Sequence, residues 1–156
     1  MMKILFRIAL VLVVITSACN TSQKVVQSDN VGRQPNDITE KYWKLIELNG
    51  SPVVYADSMS REPFFVLKDE NNRVNGHGGC NTLSGTYEID RAANRIKFSQ
   101  MVSTMMACLN MEVETGLKNA LETADNYALS ADGKYLSLNR ARMAPLARFE
   151  LVYLTQ

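Results

Sequence analysis

Twelve residues, Gly76-His77-Gly78-Gly79-Cys80-Asn81-Thr82-Leu83-Ser84-Gly85-Thr86-Tyr87, restrict the possible folds of this chain more than any other stretch. They hold four of the eight glycines, the single histidine and one of three cysteines. An ordinary turn needs far less. Glycine without a Cβ permits positive φ and close backbone approach, so this stretch reads as a sharp, fixed corner between extended segments.

The flanking residues have strand character. Tyr42-Trp43-Lys44-Leu45-Ile46-Glu47-Leu48 is rich in aromatic and branched side chains and stops at Asn49-Gly50, a strong turn dipeptide. Trp43 is expected in the core, with a partner for its indole N–H. Ser51 to Tyr55 continues as a return strand or edge segment, with Pro52 at its start, where a missing donor is tolerated. Pro63 to Lys68 is a second firm strand, Asp69 to Asn72 a turn, and Arg73 to Gly76 a third extended piece. Beyond the corner, Thr86 to Asp90 and the alternating Arg95-Ile96-Lys97-Phe98 are strands around a loop at Arg91 to Asn94.

The period then changes. Val113, Leu117, Ala120, Leu121 and Ala124 form an apolar stripe that predicts one amphipathic helix over roughly Glu112 to Asp125. Asn110 is its expected N-cap, and Glu112 and Glu114 lie near its positive end. Tyr127 to Leu129, Tyr135 to Leu138 after a turn at Asp132-Gly133, and Leu146 to Leu154 complete the strands. The Met-rich Met101 to Cys108 fits a loop, a short helix or a strand equally well. Short, evenly spaced strands and one helix predict a mainly β (α+β) domain, an antiparallel sheet curled into a barrel with the helix over an open face.

At 156 residues with 46% hydrophobic content, one globular domain is expected. A formal charge of +1 offers no basic face, so nucleic acid is not an expected partner.

The front of the chain carries an address. Two basic residues, Lys3 and Arg7, precede the apolar run Ile8 to Ile15, and Thr16-Ser17-Ala18-Cys19 comes next. This is the layout of a secretory signal peptide, too short to span a bilayer comfortably. Ser17-Ala18-Cys19 resembles the lipobox of bacterial lipoproteins, with Thr16 where leucine is usual. The resemblance implies residues 1–18 as a lipoprotein signal peptide, lipid on Cys19, and anchoring in the cell envelope. Asn20 favours the outer membrane, facing the periplasm. Residues 19–38 are polar and read as a flexible tether, about 20 to 25 Å in mean reach, with the domain at 39–156.

Four readings of the corner compete. A phosphate cradle wants a helix and a lysine after the glycines, and a strand comes after them in this chain. A metal site would draw on His77, Cys80 and Cys108, which lack paired ligand spacing. A nucleophilic site would use Cys80 as thiolate, His77 as base, and the amides of Gly78, Gly79 and Asn81 as an oxyanion cradle. A structural reading pairs Cys80 with Cys108 in an oxidising compartment, once Cys19 is lipidated.

Trp43-Lys44-Leu45 with Asn49-Gly50, the Gly76, His77, Gly78, Gly79, Cys80, Asn81, Gly85, Tyr87 motif and Met106-Ala107-Cys108 together resemble the META/HslJ-like domain family. The resemblance covers about residues 40 to 154, and Leu109 stands where relatives often carry proline. It implies a lipocalin-like antiparallel barrel with one helix, frequent lipid anchoring in bacterial envelopes, links to stress response or drug tolerance, and no agreed catalytic activity. The expectation is therefore a non-enzymatic binding or interaction module without cofactor or metal, held to the membrane by its lipid, with an envelope protein or small ligand as partner. Alternatives are a thiol-dependent enzyme or redox protein using Cys80 with His77, and a small-molecule carrier whose pocket Met101, Met105, Met106 and Met111 would line.

Overall fold

A computed structural model describes residues 37–54, 61–109, 111–141 and 144–153. The signal segment 1–18, Cys19, most of the tether, Tyr55, Asn110 and Leu154 lie outside the described residues.

Among the described residues, nine strands, one α-helix and a 3-10 turn at Glu70–Asn72 occur, the strands and α-helix in the order β1 Tyr42–Leu48, β2 Ser51–Pro52, β3 Phe64–Lys68, β4 Arg73–His77, β5 Thr82–Asp90, β6 Arg95–Ser103, α1 Glu112–Thr123, β7 Asn126–Leu129, β8 Tyr135–Asn139 and β9 Ala147–Val152. All neighbouring pairs are antiparallel, in the order β2-β1-β3-β4-β5-β6-β7-β8-β9, and an added β1–β9 pairing joins the sheet into a ring. This is the mainly β, antiparallel, one-helix architecture expected, in a barrel-like form.

Alternation decides which side chains face inward. Trp43 and Leu45 from β1, Phe65 and Leu67 from β3, Leu83 and Tyr87 from β5, Ile96 and Phe98 from β6, Leu136 and Leu138 from β8, and Ala147 and Phe149 from β9 are all buried. Phe65 packs edge-on against Phe149 with centroids 4.8 Å apart. The Trp43 indole N–H donates to Ile38 O at 2.8 Å, the partner it was expected to need.

The ring is weakest between β6 and β7. Among the described residues these strands share one register pair, Arg95↔Asn126. Beyond that pair the helix α1 packs against β6, touches β1 and β8 as well, and turns Leu117, Ala120 and Leu121 into the core. It thereby covers apolar surface that an unpaired edge would leave open.

Several boundaries differ from the expectations. The return strand β2 is only Ser51–Pro52 and does not run on through Val53 and Val54. β5 begins at Thr82, so the second half of the glycine stretch is already strand. β6 extends through Ser103, and only the remainder of the Met-rich segment is irregular. A register shift opposite Gly85 lets β6 bend there. The helix starts after Met111, which has no side-chain capping bond, so the cap expected from Asn110 is not what the described helix end displays.

The barrel has two distinct ends. β5 spans nine residues, which at about 3.3 Å per residue places its ends roughly 25 to 30 Å apart. At the Asp90 end the described chain enters: Arg91 reaches the Asp37 carboxylate at 3.3 Å, and Glu40 bonds both Lys68 Nζ at 2.7 Å and the Asp69 amide at 2.9 Å. At the Thr82 end lies the glycine–cysteine corner.

Candidate functional site

The corner is built by two elements that meet it from different sides: the first turn of α1 and the loop after β6. Cys80 and Cys108 are joined by a disulfide, with Cα atoms 6.1 Å apart across 28 residues of sequence. Of the four readings of the corner, the structural pairing is the arrangement found.

The centre of the corner is Glu114, which sequence reasoning placed at the positive end of the helix without linking it to the corner. Glu114 is 6% exposed, and its Oε2 accepts the backbone N–H groups of Asn81 at 2.6 Å and Cys80 at 3.2 Å. Its Oε1 accepts from Asn81 Nδ2 at 2.8 Å. A carboxylate receiving several N–H donors is strongly held, since each such bond is charge-assisted. Its position in the first helical turn adds favourable interaction with the helix dipole.

Two glycines make that approach possible. A Cβ on Gly78 would collide with the Glu114 side chain, standing 2.8 Å from Oε2 and 2.9 Å from Cδ. Gly79 has φ +113°, a conformation that side chains disfavour. The bend is pinned further by Gly78 N–H to Asn81 O at 2.7 Å and by Arg61 N–H to Gly79 O at 3.0 Å.

Asn81 joins the corner to the loop. Its amide oxygen accepts the Thr104 hydroxyl and the Met106 N–H, each at 2.7 Å, while Nδ2 also donates to Met106 O at 3.0 Å. Both faces of this buried side chain are satisfied. Thr104 returns the contact, its hydroxyl oxygen accepting from Thr82 N–H at 3.2 Å and its own N–H reaching Thr82 O at 3.2 Å.

His77 closes β4 beside the bend, where Nδ1 accepts the Gly79 N–H at 3.1 Å. Burial, then the nearby Arg61 charge, holds its pKa below the ordinary imidazole value, with Glu114 acting in the opposite direction. Tyr87, last residue of the motif, is buried and donates to Lys68 O at 3.3 Å. Burial, then the Asp69 charge, pushes its phenol up to about 12.

The chemistry open to these groups is set by their partners. Cys80 sulfur is bonded to Cys108 and His77 Nδ1 faces Gly79, so a Cys80–His77 nucleophile pair is not assembled. The Asn81 amide proposed for an oxyanion cradle already binds Glu114. Among the described residues no group of three or more His, Cys, Asp or Glu side chains is gathered for a metal.

The surface that the corner presents to solvent is apolar. Met105 is 99% exposed, Leu109 101% and Met106 60%. These methionines line no interior pocket, contrary to the arrangement expected of a carrier, while Met101 packs against the core. An open groove of about 400 Å³ lies instead near the opposite end, floored by Ile89, Ile96 and Ala124 and rimmed by charged residues including Glu88, Arg95 and Lys97.

Comparison with known proteins places this geometry in context. A family model described as the META domain matches residues 36–153. A search of curated proteins finds no match. Among solved structures, an NMR structure of a protein from Burkholderia xenovorans is 18% identical, with a TM-score of 0.58, covering 74% of this chain and 83% of that one. A second NMR structure is 19% identical, with a TM-score of 0.57, covering 76% and 94% respectively. At these identities the likeness extends to the fold alone.

Proposed function

We propose a function from one premise: the chain belongs to the META domain family. In this reading it is a non-enzymatic interaction module of the bacterial cell envelope, anchored by lipid on Cys19 in the outer membrane, facing the periplasm and serving stress or drug tolerance. The anchoring part is supported by the signal-like segment and the Ser17-Ala18-Cys19 sequence.

The observation that carries the interaction reading is the division of labour at the corner. Glu114, Asn81 and the two cysteines are engaged with one another, while the loop they clamp offers Met105, Met106 and Leu109 to solvent. Contiguous exposed apolar side chains on a soluble domain mark contact surfaces, and pre-organising the loop lowers the entropy lost on binding. The described residues begin at the opposite end of the barrel, where Asp37 meets Arg91. No charged residue occurs from Gln100 to Met111, which suits an apolar groove on the partner.

The test is site-specific photo-cross-linking in intact envelopes, with the cross-linker at Leu109 and, as control, at Ala92 beside the tether end. A discrete adduct from Leu109 alone is expected; none at Leu109, or the same adduct from both positions, refutes the interaction reading. Metabolic labelling with a radioactive fatty acid, lost in Cys19→Ser, tests the anchor separately.

A further inference from the structure

Four of the chain's eight methionines, Met101, Met105, Met106 and Met111, fall in the short stretch 101–111. The fold treats them unequally. Met101 is half-buried against the core, its sulfur close to Gly85, and Met111 is half-buried at the start of α1. Met105 and Met106 point outward, 99% and 60% exposed.

This exposure is imposed by the surroundings. Asn81 grips the Met106 N–H and C=O, Thr104 is bonded to Asn81 and Thr82, and Cys108 is tied to Cys80. The backbone is thus fixed before and after the pair, and the thioethers are held away from the core. Both described cysteines are already at the disulfide level, so neither competes as a thiol for an oxidant. The most accessible reducing sulfurs at this end of the barrel belong to Met105 and Met106.

We propose that Met105 and Met106 form an oxidant-reactive site that takes peroxides, and that its oxidation switches off docking by the loop. With hydrogen peroxide a thioether lone pair attacks one oxygen, an S–O bond forms as the O–O bond breaks, and the second oxygen leaves as water after taking the proton from the oxygen now on sulfur; an organic hydroperoxide releases its alcohol in the same way. Sulfur loses two electrons and the peroxide gains them. The product sulfoxide is polar, so the apolar surface of the loop is replaced by strong hydrogen-bond acceptors. Thiol-dependent sulfoxide reductases reverse the step. The switching half of the proposal rests on the interaction reading; the reactivity half does not.

The experiment treats the full mature chain with hydrogen peroxide and tracks each methionine by peptide mass spectrometry. A gain of one oxygen atom at Met105 and Met106, before either Met101 or Met111, is expected. Equal rates at all four, or first reaction at Met101 or Met111, overturns the site. The cross-link from Leu109 is then measured before and after oxidation. Its loss on oxidation, recovery with a methionine sulfoxide reductase, and persistence in Met105→Leu with Met106→Leu treated with peroxide are expected. Leucine keeps the loop apolar and removes the reactive sulfur, and both positions are exposed, so folding is not at stake. A cross-link that survives full oxidation of both residues overturns the switch while leaving the interaction reading intact. A cross-link absent even before oxidation overturns the interaction reading and the switch with it, and leaves the peroxide selectivity to stand or fall on its own data.

Discussion

The Glu114–Gly78 contact gives a quantitative test of how the corner is held. Replacing Glu114 by Ala removes the acceptor for two buried backbone N–H groups and one side-chain N–H. Asn81 Nδ2 keeps its bond to Met106 O, but the two backbone donors lose the only partner shown for them. At roughly 1 to 3 kcal/mol for each of the two buried donors left without a partner, the expected cost is about 2 to 6 kcal/mol. That is a large share of the roughly 5 to 15 kcal/mol by which a small domain is stable. Gly78→Ala alone adds a Cβ where the Glu114 carboxylate and Cγ already sit. The carboxylate must move, and the lost bonds and strain should cost about 2 to 3 kcal/mol.

With Glu114 already gone, the space is free, and Gly78 lacks the positive φ that would penalise Ala. The double variant should therefore be about as stable as Glu114→Ala alone, a coupling of about 2 kcal/mol. Urea denaturation with the disulfide intact, read as a midpoint shift at constant m, measures all three variants. Effects that simply add, to within about 0.5 kcal/mol, would refute the claim that Gly78 is glycine because of Glu114.

Three further outcomes are expected from the same geometry. Cys80→Ala with Cys108→Ala should cost roughly 3 to 4 kcal/mol, from the chain entropy of an unfolded loop spanning that separation; a loss below about 1 kcal/mol in the same assay would count against the bridge as a major staple. Because His77 has a lowered pKa in the folded state, its contribution is present above the ordinary value of 6.5 and is lost as pH falls below it. Denaturation midpoints across that range should decline more gently in His77→Asn, and an unchanged decline would rule His77 out as the cause. Tyr87 has a raised pKa, so its contribution is intact below 10.0 and is lost as pH rises towards about 12. Tyr87→Phe should flatten the alkaline loss without abolishing it, since burial also raises Tyr127; a curve superimposable on that of the parent would show that Tyr87 does not titrate during unfolding.

The fold was legible wherever a period was sustained. The alternation of Arg95-Ile96-Lys97-Phe98 in β6 and the helical stripe from Val113 to Ala124 each report one buried face, and that face is what the barrel encloses. Boundaries near the corner were harder to read. Glycine breaks the apolar signal, so Thr82 to Gly85 looked like an extension of the bend although the register with β4 is continuous there. The segment after Ser103 has no period because its order comes from Asn81 and a disulfide.

The hub of the corner left a different trace, one visible in the helix rather than the glycines. Glu114 stands three residues before Leu117 and seven before Leu121, on the same buried face of α1. Its proximity to the helix N-terminus offered a sufficient explanation by the dipole alone, and Glu112, exposed in the same turn, fits that explanation well. A carboxylate within the apolar stripe asks for more, because burying it without donors is very costly. The corner supplies those donors: its bend frees the amides of Cys80 and Asn81 from the β-ladder, and the missing Cβ of Gly78 lets a side chain reach them. The misplaced acid and the excess of glycines are therefore two halves of one contact, separated by more than thirty residues of sequence. Neither half specifies the other, and it is the packing of α1 against β6 that brings them together.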